Sequence, residues 1–394
     1  MRSPWAAWMV ILAGVGAAMH VGKLPPALPV LQTELGLSLL EAGFLLSLVQ
    51  MAGMTLGVVT GAMADGLGLR RSMCVGLFIL SIASALGGLS HDPVILLTLR
   101  ALEGLGFLLT TMPAPGLIRR LVPTQRLSPM LGWWGAYMPL GTALALLAGP
   151  LAIEAWGWTG LWTAMAVLSL GLVAGVLSCI PPDTVEAVRA PAGALRLRLG
   201  QTLSASGPWL IGGAFAMYSS QWLAVVGFLP SIYAAGGLAG TAVAWMTAMA
   251  AAANMMGNIG AGRLLQRGVQ PPLLLACGFA FMALSSLLAF QTWVELPFGL
   301  RYGLVIGFSM VGGLIPGTLF SLAVRLSPQE SLVSTTVGWM QQCSSMGQFA
   351  GPPLVAWVAA SRGGWAWTGL TTATFALGGM LLSFLIARRL ALRG

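Results

Sequence analysis

Gly61-Ala62-Met63-Ala64-Asp65-Gly66-Leu67-Gly68-Leu69-Arg70-Arg71 separates two apolar runs, roughly 40–63 and 72–90. Each run has about the 20 residues a helix needs to cross a ~30 Å hydrocarbon core. Backbone donors and acceptors in lipid must be satisfied within the structure itself, so such runs read as helices. Between them lie glycines that allow a tight reversal, one acid and an arginine pair. Residues 61–71 therefore read as a short polar turn between two spanning helices.

The rest of the chain agrees. Of its 394 residues, 19 are Lys or Arg and 10 are Asp or Glu, only 7% charged, while 57% are hydrophobic. A soluble domain carries about a quarter charged residues, so a cytosolic enzyme, a secreted disulfide scaffold and a disordered regulator are excluded. The net charge of +9 lies in short arginine clusters between apolar runs, which reads as topology signalling and not as a nucleic-acid interface. Cys74, Cys179, Cys277 and Cys343 show no zinc or redox spacing. No nucleotide-binding loop, paired-carboxylate site or metal spacing is found, so neither an enzyme nor a cofactor is expected.

Twelve spans are expected, at roughly 5–31, 40–63, 72–90, 93–118, 129–153, 158–180, 208–235, 240–262, 272–291, 296–323, 333–358 and 365–387. The stretch 181–206, with Pro181, Pro182, Asp183, Glu186, Pro191, Arg196 and Arg198, reads as a cytoplasmic linker. It divides an N-terminal six-helix bundle (1–180) from a C-terminal one (207–394). An even span count puts both termini on one side. Arg2, Arg70, Arg71, Arg119, Arg120, Arg263, Arg325 and Arg388 share that side, with Arg362 opposite, so the termini are expected in the cytoplasm. The expected location is a bacterial-type inner membrane, crossed many times by a monomer.

The two halves echo each other. Leu99-Arg100, Gly106-Phe107 and Pro115-Gly116 recur as Leu300-Arg301, Gly307-Phe308 and Pro316-Gly317, and Pro29 recurs as Pro230, all at an offset of 201. Parallel repeats of this kind place a substrate site at mid-membrane between the halves.

With twelve spans and a duplication in hand, the opening turn resembles the loop between helices 2 and 3 of the major facilitator superfamily, G-x-L-a-D-r-x-G-r-k/r. Gly61, Asp65, Gly68, Arg70 and Arg71 match, whereas Met63 and Gly66 depart from the pattern. The resemblance implies an all-α transporter with alternating access, and a gating role for Gly61, Asp65, Gly68, Arg70 and Arg71 in which Asp65 latches one conformation. Arg100-Ala101-Leu102-Glu103-Gly104-Leu105-Gly106 is similar to the superfamily's R-x-x-q-G-x-G motif, with Glu103 where Gln is common. The segments Tyr218–Tyr233, Val337–Val355 and Leu117–Arg120 are loosely similar to its cyanate/nitroimidazole-type branch, although the Asn-Met-Arg-Pro segment of that branch is missing from the first span.

Candidate site residues follow from charge inside spans, which is costly and usually functional. Arg100 and Glu103 are three apart and share a helix face, as do His20 and Lys23. Counted from the span ends, Lys23, Arg100 and Arg301 lie at one depth, roughly 10 Å inside the outer boundary at 1.5 Å per residue. They are expected to form a cationic layer, with Lys23 snorkelling to the surface as the simpler alternative. His20, Lys23, Arg100, Arg301, Tyr218, Gln221, Gln341, Tyr137 and Trp133 are the expected substrate contacts, and Glu103 the proton-coupling group. The expected partners are a small-molecule substrate, the lipid bilayer and protons.

The cationic layer points to a secondary transporter of a small anionic solute, coupled to protons or working by exchange. The alternative on the same fold is a proton-driven exporter of hydrophobic or cationic compounds, with Glu103 as proton site.

Overall fold

The computed structural model describes residues 4–183, 194–238, 240–329 and 332–392, and their side chains except those of 4, 60–67, 124, 125, 127–129, 132, 194, 195 and 334. All regular structure among the described residues is helical. Among the described residues, nine helical stretches are long and apolar enough to cross a membrane.

The first such stretch is two helices, α1 (Pro4–Gly22) and α2 (Leu24–Leu35), joined at Lys23. The Lys23 amide still reaches the Met19 carbonyl at 2.8 Å, but Pro25 and Pro26 supply no N–H to the turn before them. Gly36, at φ +64°, ends α2. A capping box of Ser38 and Glu41 starts α3 (Leu39–Ser47), which passes through a 3-10 turn at Leu48–Gln50 into α4 (Met51–Leu67). After Gly68 come α5 (Leu69–Leu89) and α6 (Pro93–Thr111), the latter opened by Asp92, whose carboxylate accepts from the Val94 and Ile95 amides. α7 (Ala114–Leu121) continues α6 beyond a break, and α8 (Thr124–Gly135) leads into α9 (Tyr137–Cys179). α9 is two helices meeting at Gly157, whose φ of +69° only glycine adopts without strain.

The expected linker holds a helix of its own, α10 (Ala194–Leu203). Then follow α11 (Ser206–Ala235), α12 (Thr241–Gln266), α13 (Pro271–Phe290), α14 (Phe298–Gly312), α15 (Leu314–Leu326), α16 (Val333–Arg362) and α17 (Thr368–Ala391). The expected span 129–153 is interrupted at Ala136, between α8 and α9. The duplication has a structural counterpart. The α6–α7 break falls just before Pro115, and the α14–α15 break falls just before Pro316.

α1 packs on α9, and α5 on both α6 and α9; on the other side of the chain α11 packs on α16, and α13 on both α14 and α17. Seams between the two groups are made by α16 on α3 and α4, by α12 on α9 and by α11 on α2. The α3/α4–α16 seam is lined with glycine. A Cβ on Gly43 would lie 2.9 Å from the Pro353 Cα, and one on Gly57 would lie 3.2 Å from the Gln342 Cβ. Small residues let helix backbones approach this closely in lipid. Two polar bonds across the seam fall among the described residues. Gln342 Oε1 accepts from the Val58 amide at 3.0 Å, and Ser345 Oγ donates to Gln50 Oε1 at 3.4 Å.

Candidate functional site: a buried ion cluster

Four of the ten expected contact and coupling residues converge at the α1–α2 joint. His20 and Lys23 are fully buried, and Arg100 and Glu103 are 2% and 1% exposed. Lys23 Nζ lies 2.5 Å from Glu103 Oε1, and Arg100 Nη1 lies 2.5 Å from Glu103 Oε2, so one carboxylate carries two cations. Lys23 Nζ also donates to Ser84 Oγ at 2.8 Å and sits 4.4 Å from the centre of the Trp162 ring. An ammonium over an indole face is stabilised by the ring quadrupole. His20 bridges outward. Its Nδ1 is 3.4 Å from Glu103 Oε1 and 3.5 Å from Lys23 Nζ, and its Nε2 is 2.7 Å from Ser169 Oγ in the second half of α9.

The breaks in the helices explain why the arginine sits here. The last carbonyls of a helix have no partner inside it and form its negative end. Arg100 Nη1 donates to the His20 carbonyl at the end of α1 at 2.7 Å, and Nε donates to the Leu45 carbonyl near the end of α3 at 3.0 Å. The guanidinium thus ties α1, α3 and α6 together. Arg100 Nη2 is buried with no hydrogen-bond partner among the described residues.

Arg301 is not part of this cluster. It stands in the first turn of α14, partly exposed, with Nη2 3.4 Å from the Val294 carbonyl of the preceding loop. Equal depth did not bring it to Lys23 and Arg100. Lys23 does not snorkel either; it is enclosed among α1, α5, α6 and α9. Trp133 is 53% exposed and packs near Trp8, with ring centres 5.6 Å apart, while Tyr137 stacks on Trp134 at 4.2 Å. Gln341 is half-buried on α16.

Tyr218 and Gln221 belong to a second polar region, within α11–α17. Asn254 Nδ2 donates to Tyr218 Oη at 2.7 Å and to the Ser309 carbonyl at 2.9 Å. Trp222 Nε1 donates to Ser309 Oγ at 3.0 Å, and Ser219 and Ser344 share a hydroxyl bond of 2.6 Å. Gln221 Nε2 returns to its own helix at the Met217 carbonyl, 3.1 Å away.

The opening turn gains a partner that sequence reading did not single out. Asp183, just beyond α9, accepts from the amides of Arg70 (3.2 Å) and Arg71 (3.0 Å) at the start of α5, and from Arg120 Nη1 at 2.8 Å. Burial raises the Asp183 carboxyl, but the Arg71 and Arg70 amides and the Arg120 guanidinium outweigh it and hold it below the usual aspartate range. Gly68 makes room for this contact. Its φ is +84°, and a Cβ there would lie 2.5 Å from Asp183 Oδ2. Arg70 Nη2 adds a bond to the Leu177 carbonyl at 2.5 Å. Gly61 and Asp65 are placed as backbone of α4, and the Asp65 side chain lies outside the described residues.

Ser84, Trp162 and Ser169 also escaped sequence reading. They reach the cluster across 61 to 149 residues of chain, and the only local signal is a serine or a tryptophan in an apolar span.

Comparison with known proteins adds a family, two relatives and a neighbour in fold. A family model described as Major Facilitator Superfamily matches residues 6–343. The chain is 33% identical to the puromycin resistance protein pur8 of Streptomyces alboniger over 226 residues, 56% of this chain and 43% of that protein. It is 25% identical to the quinolone resistance protein NorA of Staphylococcus aureus over 162 residues, 41% of each. The matches thus span less than half the length of these relatives. In fold, a bacterial homolog to the human lysosomal transporter Spinster, solved in an inward-facing and occupied conformation, is similar with a TM-score of 0.80 at 14% identity, covering 98% of this chain and 97% of that one.

Proposed function

The chain belongs to the Major Facilitator Superfamily, and we propose that it is a proton-driven exporter of hydrophobic or cationic compounds. One observation carries the choice over a small anionic solute. Lys23 and Arg100 both close on Glu103 inside the N-terminal helices, and Arg301 turns to a loop carbonyl. A cationic layer free to offset the desolvation of an anion therefore has no support in the geometry. The relatives bear puromycin- and quinolone-resistance names, which agrees with drug export and gives no support to the cyanate/nitroimidazole-type branch.

The topology that goes with this proposal has twelve crossings and both termini in the cytoplasm of a bacterial-type cell. The nine apolar stretches reach twelve when α9 is counted twice at Gly157 and α12 and α16 are included. Residues 1–180 and 207–394 act as the two rocking halves. Substrate passes between them, near Tyr218, Gln221, Gln341 and Tyr137, and a proton binds at the Lys23–Glu103–Arg100 cluster. The turn around Gly68, Arg70 and Arg71 gates the cytoplasmic side.

The test is transport by the purified full-length chain in proteoliposomes under an imposed pH gradient, with ethidium as the cationic probe and benzoate as the anionic one. Gradient-driven ethidium accumulation with no benzoate flux is the expected result. Benzoate flux without ethidium flux would restore the anion reading.

A further inference from the structure

We propose that Lys23, and not Glu103, carries the coupling proton, and that His20 hands it on. This deepens the proton-driven reading above and rests on it.

Charge counting in a sealed site leads to this assignment. With Lys23 and Arg100 protonated, Glu103 ionised and His20 neutral, the cluster holds one net positive charge. A single proton can change it in two directions. Adding the proton to Glu103 leaves two cations, each 2.5 Å from a carboxyl that no longer opposes them. Removing one from Lys23 leaves the Arg100–Glu103 pair, which is neutral. Unpaired charge in a dry interior is far more costly than a paired one. Arginine does not lose its proton in proteins, so the group that can cycle is the lysine.

The surroundings provide the rest. Around Lys23 are His20 from α1, Arg100 and Glu103 from α6, Ser84 from α5 and Trp162 from α9, with Ser169 of α9 behind the His20 ring. Among the described residues no further titratable group stands in this shell. With the ring proton of His20 on Nε2, Lys23 becomes an amine as its proton crosses 3.5 Å to Nδ1; the imidazole gives its Nε2 proton to Ser169 Oγ, 2.7 Å away, and the Ser169 hydroxyl passes its own proton to a water molecule admitted when the half opens. One proton enters the relay and one leaves, and the cluster goes from one positive charge to none. The amine keeps its bond with Ser84 and gives up its attraction to Trp162 and Glu103. Loss of that attraction loosens the tie between α1, α6 and α9 inside the first half, so that the half changes its internal packing as the proton leaves. Ser84 Oγ, held by the Trp162 carbonyl at 2.8 Å, stays in place to receive the lysine again.

Lys23 is the only lysine of the chain, so lysine labelled at Cε and Nζ gives a single side-chain resonance in the full-length protein in nanodiscs. That resonance is expected to move between its ammonium and amine positions within the pH range over which the chain stays folded. Lys23→Arg keeps the charge and cannot cycle it, and is expected to fold and to lose gradient-driven ethidium uptake in proteoliposomes. A resonance fixed at the ammonium position, in a protein that still drives ethidium with the proton gradient, overturns the assignment to Lys23 and leaves the export reading standing. So does proton-driven uptake by Lys23→Arg at the wild-type rate. Wild-type protein that shows no gradient-driven ethidium uptake overturns the export reading itself, and with it any coupling proton.

Discussion

The two helical groups solve the problem of polar groups in lipid in opposite ways. In the first, ionised side chains meet at one carboxylate. In the second, the buried polar contacts among the described residues join neutral groups such as Tyr218, Asn254, Ser309 and Ser344. Positions related by the offset of 201 make the contrast direct. Lys23 becomes Ala224, His20 becomes Gln221 and Glu103 becomes Leu304, while Arg100 stays arginine as Arg301. Ser84 bonds the Lys23 ammonium, whereas its counterpart Ser285 folds back onto the Phe281 carbonyl of its own helix at 2.6 Å. Without an acid to meet, Arg301 stays at the end of α14. Neutral interhelical bonds in membranes are each worth about 0.6 kcal/mol, and breaking one changes little else. A buried ion cluster depends above all on its shared carboxylate, because losing Glu103 leaves two cations without a counter-charge in a dry interior. On the proposed mechanism, the first group is the one that would respond to a proton.

The largest expected effect comes from removing the shared anion. Glu103→Gln leaves Lys23 and Arg100 buried without a counter-charge, and should destabilise the folded chain by about 3–5 kcal/mol, read by thermal unfolding in detergent. Unchanged stability would erase the distinction between the two groups. Lys23→Met should be milder, because the Arg100–Glu103 pair survives. Combined with Glu103→Gln it should be non-additive, with a coupling of about 0.5–3 kcal/mol; strict additivity would mean the cluster is not a unit. Next in size is the turn. Gly68→Ala forces a left-handed backbone on alanine and pushes on Asp183, at a cost of about 1–2 kcal/mol. The Asp183 carboxyl is held low in the folded state, so its stabilisation is present above the ordinary aspartate range and fades as pH falls through the folded value. Asp183→Asn should remove that acid-side loss from a pH series of unfolding temperatures. Smallest is Tyr218→Phe, which takes one bond from Asn254 and should cost about 0.6 kcal/mol. A loss as large as that of Glu103→Gln would make the neutral region as interdependent as the charged one.

Much of the fold was written in apolar run lengths and glycine-proline spacing, since lipid permits little besides helices. The three-residue spacings of His20 with Lys23 and of Arg100 with Glu103 also told which side chains share a face. What they left open was the rotation of each helix about its own axis. Depth along the membrane placed Lys23, Arg100 and Arg301 in one layer, but rotation turned the first two toward Glu103, and Arg301 found a carbonyl one loop away. Ser84, Trp162, Ser169 and Asp183 take their roles from contacts with distant segments, and nothing near them in the chain marks those contacts. The expected spans 129–153 and 158–180 already put a reversal between them, and Gly157, at φ +69°, is where α9 makes it.

The glycine-lined seam of α3 and α4 with α16 has a mechanical meaning. Helices that interlock through large side chains must lift apart before they can turn, because each knob has to leave its hole. At Gly43 and Gly57 the α3 and α4 side carries no knob, so Pro353, Ala356 and the Gln342 side chain of α16 seat directly against the backbone. Any sliding of one helix on the other would have to release the bond from the Val58 N–H to Gln342 Oε1.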